Sequence, residues 1–83
     1  MKQFLKETNP MNGGVQKVYQ FPNGYGASVI RHKGSYGFVK GLWEVAVLDE
    51  AGHLDYSTPI TDDVLGRLND SEVDNVLGQI SRL

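Results

Sequence analysis

Cysteine is absent from this chain of 83 residues. No disulfide can staple the fold, and thiol catalysis and Cys-ligated zinc are excluded. Histidine is scarce, with His32 and His53 alone, and there is one tryptophan, Trp43. No apolar run approaches the roughly 18–20 residues of a membrane span. At the start, Lys6-Glu7 follows Phe4-Leu5 too soon for a secretory signal. These absences predict a soluble cytoplasmic protein without a membrane partner. A chain this short makes one domain and buries roughly 60–65% of its unfolded surface, so modest stability is expected.

Net charge is also small, at −2, but the total hides a split. Residues 1–40 carry six cations (Lys2, Lys6, Lys17, Arg31, Lys33, Lys40) against Glu7, a net of +5. Residues 41–83 carry nine acids against Arg67 and Arg82, a net of −7. Such asymmetry points to a charged partner surface. The mild overall negative charge argues against nucleic-acid binding by the whole surface, though not by a local basic patch.

Residues 1–14 end in Asn9-Pro10-Met11-Asn12-Gly13-Gly14 and predict a flexible arm on which Phe4 and Leu5 dock. The single domain is expected over 15–83. Period-two alternation predicts strands over 15–21 and 25–33, joined at Asn23-Gly24, a strong hairpin signal. Residues 42–48 have apolar side chains on both faces, broken only by Glu44, as a central strand does. A turn at Asp49-Glu50-Ala51-Gly52 leads to a fourth expected strand over 53–58, with Leu54 and Tyr56 inward and Pro59 closing it. Thr61-Asp62-Asp63 predicts the start of one short helical turn over 64–68. Asn69 with Glu72 forms a capping box, and Val73, Val76, Leu77, Ile80 and Leu83 share one helical face, predicting a helix over 70–82. The expected fold is α+β, a four-stranded antiparallel β-meander covered on one face by a C-terminal α-helix.

Four runs carry a resemblance: Asn23-Gly24-Tyr25-Gly26-Ala27-Ser28-Val29, Ser35-Tyr36-Gly37, residues 41–48 and residues 56–64. Together they resemble small proteins of unassigned function encoded by tailed bacteriophages, over about residues 19–80. The resemblance implies a phage accessory protein acting in the cytoplasm of a bacterial host during infection. It brings no active site with it.

Candidate chemistry is thin. His53 and Asp55 lie two apart beside Asp49 and Glu50, but a zinc site needs three or four protein ligands, and a polar hairpin tip explains them. Asp62, Asp63, Asp70, Glu72 and Asp74 sit where helix starts favour acids, which accounts for them without acid–base chemistry. No serine has a nucleophile-elbow setting. Gly34 to Gly41 is not a phosphate loop, because no helix start follows. No catalytic residue, metal or cofactor is therefore expected.

The richest stretch is residues 31–40. It interleaves Arg31, Lys33 and Lys40 with Tyr36 and Phe38, a combination that suits nucleic-acid phosphates and bases or an acidic protein surface. A loop folding its aromatics back on the sheet is the plain alternative. A second expected surface is the acidic strip Asp62, Asp63, Asp70, Glu72 and Asp74, which resembles nucleic-acid phosphate in charge. The first expectation is a non-enzymatic protein that binds, and inhibits or redirects, a host protein, as a monomer or small homo-oligomer. A nucleic-acid-binding module using the 31–40 loop is the alternative, and a small enzyme the third.

Overall fold

Asn12 and Gly13 both hold positive φ, at 37° and 78°. They form a two-residue hairpin turn whose twist matches that of the flanking strands. Strand β1 (Leu5–Met11) therefore pairs antiparallel with β2 (Gly14–Gln20), from Met11↔Gly14 back to Leu5↔Tyr19. The computed structural model describes all 83 residues, so this corrects the expected arm at 1–14. Asn12-Gly13 does not end regular structure; it is the turn of the first hairpin. Pro10 is tolerated because β1 is an edge strand. Phe4, just before β1, packs edge-on against Phe21 with ring centroids 5.4 Å apart.

The second hairpin joins β2 to β3 (Gly26–Arg31) in register Val15↔Arg31 to Gln20↔Gly26. Its loop is three residues, Pro22-Asn23-Gly24, closed by Phe21 N–H to the Tyr25 carbonyl at 2.8 Å. Only Gly24 takes a positive φ, 92°. Asn23 serves another purpose: its side-chain amide donates to the Ile80 carbonyl at 2.9 Å, at the far end of the helix.

Strand β4 (Trp43–Leu48) lies between β3 and β5 (Leu65–Leu68) in a five-stranded antiparallel sheet of order β1-β2-β3-β4-β5. The α+β class thus stands, with five strands in place of four. Two segments exchange their expected roles. Residues 53–58 make only an isolated bridge, Leu48↔Leu54, and Leu54 and Tyr56 are exposed. Here side chains bind the backbone two residues on: Asp55 accepts from Ser57 N–H, Thr58 from Ile60 N–H and Thr61 from Asp63 N–H. These local turns compete with a ladder and bend the chain away from it.

Residues 65–68 are the true last strand and not a helical turn. Trp43 pairs with Leu68 and Val45 with Leu65, so β5 spends one extra residue over that step. Arg67, at φ 58°, takes the bulge. Residues three apart in a regular strand face opposite sides, but the bulge lets Leu65 and Leu68 both pack against the core.

Helix α1 (Asp70–Ser81) covers one face of the sheet. Asn69 and Glu72 form the expected capping box, with Glu72 N–H to Asn69 Oδ1 and Asn69 N–H to Glu72 Oε1 both at 2.9 Å. Val73, Val76, Leu77 and Ile80 meet Phe21, Ala27, Val29, Trp43, Val45 and Val47 in one core. On the opposite face Asn9, Gln16 and Ser28 form a side-chain hydrogen-bonded row across β1, β2 and β3.

Candidate binding surface

The antiparallel order brings four segments to one end of the molecule: the Asn12-Gly13 turn, the β3–β4 loop, the end of β5 and the start of α1. The loop over 32–42 dominates this end. Its glycines give it shape: Gly34, Gly37 and Gly41 hold φ of 95°, 85° and 70°. Any side chain at Gly37 would be strained, and a Cβ there would stand 2.8 Å from the Leu42 Cβ.

Hydrogen bonds hold this backbone. Ser35 N–H donates to the His32 carbonyl at 2.9 Å, and His32 N–H donates to Ser35 Oγ at 3.0 Å. Lys40 and Leu42 both donate to the Gly37 carbonyl at 3.0 Å. From outside, Asn12 clamps Lys33: Lys33 N–H donates to the Asn12 carbonyl at 3.1 Å, and the Asn12 side chain donates to the Lys33 carbonyl at 2.8 Å. A short 3-10 turn, Phe38–Lys40, forms the tip between Gly37 and Gly41.

Of the residues singled out in this region, Tyr36 is 57% exposed, and Lys33 and Lys40 are exposed. Phe38 is half-buried. Arg31 stands apart from the tip. Its guanidinium lies 4.1 Å from the centroid of the Trp43 ring and donates to the Gly41 carbonyl at 3.1 Å, bracing the loop from below. Two further residues complete the surface. Val39 is 96% exposed at the tip, more than any other large apolar side chain. Arg67 holds its guanidinium 5.5 Å from the Tyr36 ring centroid. The Gly-x-x-x-Gly spacing around Val39 was the available signal for a projecting turn. Arg67 carried none, because residues 64–68 read as helix.

The five acids of the second expected surface divide between two places, Asp70, Glu72 and Asp74 on the first turns of α1 and Asp62 and Asp63 on the connection before β5. Asp70 accepts the Trp43 indole N–H at 2.8 Å, and Glu72 caps the helix. Asp74 raises the pKa of the Tyr19 hydroxyl, adding to the larger effect of burial. Asp62 and Asp63 are exposed on the β4–β5 connection. Asp63 adds its charge to the opposite sheet face, where the Glu44 carboxyl is pushed up by burial first, relieved by His32 and raised further by Asp63. Asp70 and Asp74 line an open cleft of about 260 Å³ together with Lys17 and Arg31. The basic and acidic halves of the chain thus meet within the fold.

Elsewhere, Asp49 and Asp55 are engaged in turns. Asp49 Oδ1 accepts from Ala51 and His53 N–H, both at 2.9 Å. The Ser57 hydroxyl and N–H hold the Asp55 carboxyl below its ordinary pKa. No three His, Asp or Glu side chains converge in a metal-holding arrangement. No helix is long and apolar enough to cross a membrane.

Comparison with protein-family models, with curated proteins and with solved structures finds no match to this chain.

Proposed function

We propose that this protein is a non-enzymatic binding module that docks a partner protein through the loop over 32–42. One observation carries the reading: Val39 stands 96% exposed on a turn whose backbone is hydrogen-bonded on both sides of it. A loop with internal hydrogen bonds that holds an apolar side chain in water loses less entropy on docking than an open one, and gains by burying that side chain. Lys40 and Arg67 line the same groove as Val39, and Tyr36 stands exposed beside Arg67, residue types suited to a protein interface with an acidic rim. Valine has no flat face on which a base stacks, which favours protein over single-stranded nucleic acid. The resemblance to phage accessory proteins supplies the setting of the proposal: a bacterial cytoplasm and a host protein occupied, inhibited or redirected.

Affinity capture from bacterial lysate, with and without nuclease, tests the reading. A protein partner retained after nuclease and lost with Val39→Glu is the expected result. Loss of all binding after nuclease would replace it with the nucleic-acid module.

A further inference from the structure

We infer that the groove beside the loop tip accepts a single large apolar side chain carried on an acidic segment of the partner protein. This inference rests on the docking role of the 32–42 loop and adds the chemistry of the occupant.

The groove has a volume of about 430 Å³. Phe38, Val39 and Leu42 supply apolar wall, Gly34 and Gly37 keep it open, and Lys40 and Arg67 provide its only charges. No acidic side chain lines it. One apolar anchor therefore finds matching surface, and carboxylates beside that anchor meet two cations. A basic occupant would face Lys40 and Arg67 with no counter-charge in the lining. A wholly polar one would leave the Phe38–Val39–Leu42 wall wet.

Selection from a library of random 12-residue peptides on the immobilised full chain tests this. The selected peptides are then titrated by fluorescence anisotropy against the wild type, Val39→Glu and Lys40→Glu. Both positions are exposed, and a melting curve for each variant confirms folding. The expected consensus is one Leu, Ile, Phe or Trp flanked by Asp or Glu. Affinity should fall about tenfold or more in each variant, and fall with added salt. Neutral or basic peptides that still lose affinity in the variants would overturn the acidic occupant and leave the docking loop standing. Peptides whose affinity neither variant changes would overturn both, as would displacement of the peptides by an oligothymidine probe. A library that enriches nothing also overturns the inference.

Discussion

Asn23 and Ile80 are joined across the molecule: the Asn23 side-chain amide donates to the Ile80 carbonyl at 2.9 Å and to that of Leu83 at 3.3 Å. The last carbonyls of a helix lack intrahelical partners, so the β2–β3 loop caps α1 from outside. At the other end, Trp43 donates its indole N–H to Asp70 in the first turn. The helix is pinned to the sheet at both ends, by Asn23 of the β2–β3 loop and by Trp43 at the start of β4. Asn23→Ala should cost about 1 kcal/mol. Urea unfolding checks this, and an unchanged midpoint would mean water replaces the cap without loss.

Leu77 is 1% exposed in the middle of the helix stripe. Leu77→Ala should cost about 2–5 kcal/mol through lost burial and the cavity left behind. In a domain of this size that is a large part of total stability. A melting temperature within a degree or two of wild type would contradict the packing described.

Arg67 holds the left-handed conformation that lets β5 place two leucines on one side. A β-branched residue is strained there and glycine is not. Arg67→Val should therefore be less stable than Arg67→Gly by about 1 kcal/mol or more. Equal unfolding midpoints for the two variants would remove the bulge from the account.

Glu44 has a carboxyl pKa raised above its ordinary value, by burial first. The folded state then holds this proton more tightly than the unfolded state. Its contribution to stability is complete below the ordinary carboxylate range and is lost as pH rises through the folded pKa. Glu44→Gln removes that loss. The variant should gain melting temperature relative to wild type on going from pH 3.5 to pH 7. A constant difference across that range would show that Glu44 titrates as it does in the unfolded chain.

The parts of the fold written as local patterns were legible in the sequence. Period-two alternation marked β2 and β3 and the doubly apolar run marked β4, each to within a few residues, and the capping box with its apolar stripe marked the helix. What escaped depended on context. Asn12-Gly13 carries the same signal as Asn23-Gly24, but Pro10 and Gly14 beside it masked the edge strand. Leu65 and Leu68 are three apart, a helical spacing, and only the Arg67 bulge makes them a strand. Asp55, Thr58 and Thr61 turned an alternating stretch into a run of local turns. The 32–42 loop stood out by composition. Its glycines permit the left-handed turns that hydrogen bonds then hold, and Arg67 arrives from a part of the chain that sequence spacing does not connect to the loop.

Docking through the loop tip is tested most directly by amide hydrogen exchange of the protein alone and bound to its captured partner. Added protection should concentrate at residues 33–42 and 66–67, with residues 62–64 and the helix start unchanged. Protection confined to 62–74, or to the opposite end at 49–55, with the loop exchanging as in the free protein, would contradict the account.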